Sequence, residues 1–104
     1  MPSKVNSDNF DAEVLRSDKT VIADFYSDSC VPCKRLSPVL AEIEEENADT
    51  LKVAKVNINF NIELAEQYGV SSAPTIIFFK EGSEVERLNG AVSKSEIIDT
   101  INKI

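Results

Sequence analysis

The segment DFYSDSCVPCKRLSP, residues 24–38, contains both cysteines of the chain at the point where a strand-like pattern changes to a helix-like one. The run TVIADFY, residues 20–26, overlaps its start and is apolar and β-branched, which is typical of a buried strand. Beyond the cysteines, apolar residues recur at the spacing of an amphipathic helix. They are Leu36, Val39, Leu40 and Ile43. The cysteines are therefore predicted to lie where a strand ends and a helix begins.

The rest of the chain alternates between the same two patterns. Residues 51–57 and 75–80 predict strands, residues 61–69 predict a short helix, and residues 84–89 predict a weaker strand after a hairpin turn. Strands that alternate with helices favour parallel neighbours joined by right-handed crossovers, and the closing hairpin adds an antiparallel edge. The order predicts an α/β fold, with a central mixed β-sheet flanked by helices on both faces.

Two further helices are predicted near the ends of the chain. The first is expected to begin at a cap formed by Ser7 or Asp8 and to end before residue 20. The last is expected to begin at a cap formed by Ser93 or Ser95 and to present a stripe of isoleucines.

Composition limits the class of protein. With 104 residues, 42% hydrophobic and 28% charged, the chain is expected to form one globular domain spanning residues 1–104. No apolar run is long enough to span a membrane and the first residues lack a secretory pattern, so a cytoplasmic protein without membrane contact is expected. Its small size and acidic surface favour a monomer. A net charge of −7 without a basic cluster argues against a nucleic-acid partner. Because histidine is absent, no metal site is expected.

The motif Cys30-Val31-Pro32-Cys33 has the spacing of a reversible disulfide at a helix N-terminus. In a first helical turn, residues three apart face the same side at roughly the 5 to 6 Å between Cα atoms that a disulfide requires. The helix N-terminus favours a thiolate on Cys30. Cys33 is expected to stay protonated until it attacks the mixed disulfide and releases the product.

Three other interpretations of the pair remain open. Half of a zinc site would need two further ligands, which this chain lacks, so only dimerisation could complete it. A purely structural disulfide would close a very small loop and contribute little stability. The two thiols could also be buried and inert.

In this setting the chain resembles the thioredoxin family over essentially its whole length. The residues that carry the resemblance are Asp24-Phe25, Cys30, Pro32-Cys33-Lys34, Pro38, Val53-Ala54-Lys55-Val56-Asn57, Tyr68-Gly69-Val70, Ala73-Pro74-Thr75, Phe79-Lys80, Gly82 and Gly90. The resemblance implies a thioredoxin fold and a protein-disulfide reductase that contributes to cell redox homeostasis. No bound cofactor is expected. Because the chain has no Gly-rich dinucleotide fingerprint of its own, a separate thioredoxin reductase would supply the electrons.

The resemblance also implies which residues meet the substrate. Pro74 would be a cis-proline that abuts the disulfide and offers its backbone to an extended substrate. Without the resemblance a trans bond is expected, because few bonds before proline are cis. The other residues expected at the substrate surface are Tyr26, Ser29, Val31, Pro32, Ala73, Gly90 and Val92.

Asp24 interrupts an apolar run, so it is either buried with a raised pKa or exposed at the end of its strand, and burial is favoured. By the resemblance, Asp24 would exchange a proton with Cys33, with Lys55 as its partner. The alternative for Lys55 is a solvated strand residue.

The motif differs from the usual Trp-Cys-Gly-Pro-Cys of the family. Ser29 stands for tryptophan and Val31 for glycine, and Tyr26 replaces a second common tryptophan. Residues between the cysteines tune the redox balance, so the reduction potential and the partner surface stay open. Two alternatives follow: a noncatalytic scaffold module of the same fold, and an enzyme that runs in the oxidising direction.

Overall fold

A computed structural model describes residues 2–104 as a five-stranded mixed sheet with helices on both faces. The strands are β1 Ser3–Lys4, β2 Thr20–Tyr26, β3 Leu51–Asn57, β4 Thr75–Lys80 and β5 Ser83–Asn89. The helices are α1 Val31–Glu46, α2 Ile62–Gln67 and α3 Lys94–Lys103, and a π-helical segment Asp11–Leu15 precedes β2. Within residues 2–104, no helix is long and apolar enough to cross a membrane.

The strand order in the sheet is β1-β3-β2-β4-β5. The pairs β1/β3 and β2/β3 are parallel, whereas β4 runs antiparallel to β2 and β5 antiparallel to β4. This arrangement confirms the predicted mixed sheet with an antiparallel hairpin at one edge. Strand β2, which leads into the cysteines, lies at the centre of the sheet and is hydrogen-bonded to β3 on one side and β4 on the other. Its five residues Val21–Phe25 are all buried.

Each face of the sheet carries its own apolar core. Alternate residues of a strand point to opposite faces, so Val21, Ala23 and Phe25 pack into one core and Ile22 into the other. The first core includes residues from the π-helical segment and α2, and the second includes residues from α1 and α3. By this alternation Asp24 points to the face that α1 and α3 cover, as Ile22 does.

The N-terminal helix differs from its prediction. It is a single turn, Asp11–Leu15, preceded by Phe10 without any side-chain cap. The N–H of Ser7 instead donates to Asn61 Oδ1 at 3.0 Å, which ties this segment to the start of α2. The predicted cap at Ser7 or Asp8 is therefore wrong.

The C-terminal helix begins at Ser93. Its hydroxyl accepts the N–H of Glu96 at 3.2 Å, and Glu96 Oε1 accepts the N–H of Ser93 at 3.3 Å. This reciprocal pair is a capping box, which satisfies two N–H groups at the helix start. Of the two predicted caps, Ser93 is confirmed and Ser95 is not the cap.

Candidate active site

The two cysteines occupy the first turn of α1. Cys30 is the N-cap of the helix, and the structure joins it to Cys33 by a disulfide with 5.2 Å between the Cα atoms. The Cys30 Sγ also accepts the N–H of Cys33 at 3.1 Å. After reduction, this N–H and the positive end of the helix dipole stabilise negative charge on Sγ.

The two sulfurs differ in access. Cys33 is only 4% exposed, whereas Cys30 is partly exposed. The residues around Cys30 are open to solvent, since Ser29 and Pro32 are exposed and Val31 is 57% exposed. Cys30 is therefore the more accessible of the two sulfurs.

Asp24 is fully buried, as its position within an apolar run predicted. The residue is 0% exposed, and neither carboxylate oxygen has a hydrogen-bond partner among residues 2–104. Burial raises the pKa of this carboxyl to about 6, while the charge of Lys55 lowers it in part. A carboxyl with this pKa changes protonation near neutrality, so it is able both to take up and to return a proton.

Lys55 lies beside Asp24 on the neighbouring strand. The two residues are register partners in the parallel pair of β2 and β3, so their side chains leave the same face of the sheet. The Lys55 ammonium donates to Ser37 Oγ at 2.8 Å and lies 4.9 Å from the centroid of the Tyr26 ring. Lys55 is half-buried and held at its charged end, which excludes the alternative of a freely solvated lysine.

A pocket of about 250 Å³ opens beside these groups. Its lining residues come from the end of β2, the following turn, β3 and α1. They are Tyr26, Ser27, Asp28, Cys33, Lys34, Ser37 and Lys55. The pocket brings solvent to the otherwise buried Cys33 on the side where Lys55 lies.

The predicted substrate residues outside the motif lie at the same end of the sheet. The Ala73-Pro74 bond is cis, as the resemblance implied. Because Phe25 pairs with Thr75, Pro74 lies next to the end of β2 that leads to the cysteines. The N–H of Gly90 donates to the Pro74 carbonyl at 2.9 Å, which joins the segment after β5 to the proline.

Val92, two residues beyond Gly90, is half-buried against the core formed by α1 and α3. Ala73 is also half-buried, whereas Pro74 is buried. What these residues expose is therefore mainly backbone and small apolar surface.

Comparison with known proteins agrees with this geometry. The thioredoxin family model matches residues 1–103. The chain belongs to the thioredoxin family. It is 43% identical over 103 residues to the thioredoxin of Rickettsia typhi, covering 99% of this chain and 98% of that one. It is 41% identical over 101 residues to the thioredoxin of Pyropia yezoensis, covering 97% and 94% of the two chains.

Family membership and the disulfide-bonded pair together assign the activity. This thioredoxin-family chain is a thiol-disulfide oxidoreductase with protein-disulfide reductase activity. Its relatives include the thioredoxin 1 of Synechococcus elongatus, 40% identical over 99 residues that cover 95% of this chain and 92% of that one. The comparisons give no support to a noncatalytic scaffold.

Two polar residues of this thioredoxin-family site were not predicted. Ser37 binds the Lys55 ammonium, and Asn57 Nδ2 donates to Asp28 Oδ1 at 3.1 Å. Ser37 follows Cys33 by four residues, so helical spacing alone places it on the same side of α1. Asn57 gives no comparable signal, since its contact depends on how the turn after β2 folds over β3.

Proposed function

We propose that Cys30 attacks disulfides of protein substrates and that Cys33 resolves the product. The Cys30 thiolate attacks one sulfur of the substrate disulfide, forms a mixed disulfide and releases the other substrate sulfur as a thiolate. Cys33, after losing its proton, then attacks Cys30 Sγ, which forms the Cys30–Cys33 disulfide and releases the second substrate sulfur. The substrate gains two electrons and the pair of cysteines loses two.

One observation carries this assignment of roles. The sulfur that caps α1 and accepts the Cys33 N–H is also the more accessible one. A thiolate is the attacking species in disulfide exchange, so the stabilised and reachable sulfur is the nucleophile. The buried sulfur three residues later is within disulfide distance and serves for resolution.

In this mechanism Asp24 accepts the proton of Cys33 before resolution. Its buried carboxyl points to the face of the sheet covered by α1, the helix that carries Cys33. The raised pKa makes the carboxylate a stronger base than an exposed aspartate. Lys55 then limits how far that pKa rises.

The substrate is proposed to lie as an extended segment across the sulfur of Cys30. Its main chain would follow the backbone around Ala73 and Pro74, and its side chains would contact the exposed face of Val31. The further contacts proposed are Tyr26, Ser29, Pro32, Gly90 and Val92. This arrangement leaves the substrate disulfide directly above the N-cap of α1.

The partners follow from this mechanism. The substrates are proteins with accessible disulfides, and a separate thioredoxin reductase is proposed to return the oxidised pair to the dithiol. We propose that the chain acts as a monomer in the cytoplasm, where it carries electrons from the reductase to the substrate and so contributes to cell redox homeostasis. With a net charge of −7, it has no electrostatic affinity for nucleic acid.

The direction of the reaction is tested by the equilibrium of the cysteine pair with glutathione. We expect a reduction potential close to about −270 mV, the value of reducing thioredoxins. Mass spectrometry after acid quenching and alkylation would measure the oxidised fraction across a series of glutathione ratios. A potential more positive than about −180 mV, that of protein disulfide isomerase, would show that the pair acts as an oxidant.

A further inference from the structure

Among residues 2–104, the charged end of Lys55 makes one hydrogen bond and one cation–π contact, and neither is with the carboxylate beside it. The ammonium donates to the hydroxyl of Ser37 at 2.8 Å and lies over the ring of Tyr26, 4.9 Å from its centroid. Asp24 is its register partner on β2, yet both Asp24 oxygens lack a hydrogen-bond partner among residues 2–104. An ionised carboxylate is costly to bury without a partner, so a direct ion pair with the neighbouring cation would be favoured unless another group holds that cation.

Ser37 is well placed to be that group. It lies half-buried in the second turn of α1, and within residues 2–104 its hydroxyl is the only hydrogen-bond acceptor of the ammonium. A hydrogen bond from a charged donor is shorter and stronger than one between neutral groups. The Tyr26 ring adds a weaker attraction from a second side.

We propose that Ser37 is a positioning residue that holds the Lys55 ammonium away from a direct ion pair with Asp24. The hydroxyl keeps the cation close enough for a Coulombic interaction with the carboxylate, but without a hydrogen bond or direct ion pair between the two groups. Asp24 then remains free to exchange its proton in the buried site. The consequence for turnover rests on the proposed role of Asp24, whereas the placement of the ammonium does not.

Without the Ser37 hydroxyl, the ammonium is expected to turn to the strongest remaining acceptor. The charged and titratable groups around the pocket are Lys55 from β3, Cys33 and Lys34 from α1, and Tyr26 and Asp28 from β2 and the following turn. On the same face of the sheet, β4 contributes Ile76 and α3 contributes Ile97, which are apolar. The buried carboxyl groups of residues 2–104 are those of Asp24 and Glu44, and Glu44 Oε2 already accepts the N–H of Val53 at 2.6 Å. On the other side of Lys55, β1 contributes the exposed Lys4, which is a second cation. Asp24, the register partner of Lys55 on β2, is thus the buried carboxylate to which the ammonium is expected to turn. An opposite charge within about 4–6 Å lowers the pKa of a carboxyl by 1–3 units.

The test is the titration of the Asp24 carboxyl in the oxidised protein, where neither cysteine titrates. Carboxyl 13C chemical shifts are followed against pH, and the Asp24 signal is assigned by its loss in Asp24→Asn. In Ser37→Ala we expect the pKa of Asp24 to fall by about one unit. Alanine is the best helix former, so α1 is expected to fold normally in this variant. Ser37→Thr retains the hydroxyl and is expected to keep the pKa of the original protein.

The Lys55→Met variant tests whether the effect of Ser37→Ala on the pKa of Asp24 depends on Lys55. In Lys55→Met, the further change Ser37→Ala is expected to leave the pKa of Asp24 unmoved. An unchanged or higher pKa in Ser37→Ala, or the same fall in both backgrounds, would overturn the proposal. Single-turnover rates of resolution against pH separate it from the proposed role of Asp24. If the pKa moves and the rate profile does not, the role of Asp24 in resolution fails while the placement by Ser37 stands.

Discussion

Cys30→Ser is expected to abolish the reduction of a protein disulfide, leaving only the uncatalysed rate. A serine hydroxyl at this position does not attack a disulfide, and the buried Cys33 is poorly placed to meet a protein substrate because it is only 4% exposed. Cys33→Ser should behave differently. It leaves the N–H that supports the Cys30 sulfur, so the first attack should still occur, but nothing resolves the product.

The matched pair of variants is measured with insulin as the disulfide substrate and dithiothreitol as the reductant. Activity is followed by precipitation of the insulin chains, and adducts are followed by non-reducing electrophoresis after acid quenching. Cys33→Ser should accumulate a covalent adduct that thiols release, and Cys30→Ser should accumulate none. If Cys30→Ser instead kept its activity, or if the adduct formed only on Cys33, the assigned roles of the two cysteines would be reversed.

The second large effect is expected from Asp24→Asn, which should slow resolution by about a hundredfold near neutral pH, at the lower end of general acid-base effects. The carboxylate must be ionised to accept the proton of Cys33. Since the pKa of Asp24 is raised to about 6, the rate in the unchanged protein should rise as pH increases through about 6 and level off above it. The asparagine variant removes this rise, because its amide does not titrate in this range.

Single-turnover release of substrate from a preformed mixed disulfide on Cys30 measures this step directly. Asp49→Asn is the matched control, because it makes the same chemical change at an exposed aspartate that precedes β3, at the end of the sheet away from the cysteines. It should leave the rate and its pH profile unchanged. Equal rates in Asp24→Asn and the unchanged protein between pH 5 and about 8 would remove Asp24 from the mechanism.

The centre of the fold was predictable from sequence because its signals are local. The apolar run of β2 and the helical spacing after Cys33 each extend over several residues, and the structure places both elements as predicted. Strand β1 gave no such signal, since Ser3–Lys4 contains only two residues and alternation cannot be recognised over that length. The N-terminal cap failed for a different reason, because the N–H of Ser7 is bound by Asn61, 54 residues away in sequence.

The active site also combines features that local sequence predicted with features that it did not. Spacing alone placed the cysteines at a helix N-terminus, whereas the cis bond before Pro74 was implied only by the family resemblance. The burial of Asp24 followed from its apolar neighbours in β2. The contact between Lys55 and Ser37 could not be predicted, because it depends on how α1 lies across β3, and this packing is a property of the tertiary structure.

The central claim is that the start of α1 stabilises a thiolate on Cys30, and the pH dependence of alkylation tests it most directly. The reduced protein is treated with limiting iodoacetamide at pH values from about 4 to 10, and peptide mapping identifies the modified cysteine. We expect Cys30 to react first, with a midpoint near pH 7, against about 8.5 for an ordinary thiol. Two thiols that react equally with midpoints near 8.5, or a faster reaction at Cys33, would contradict the account.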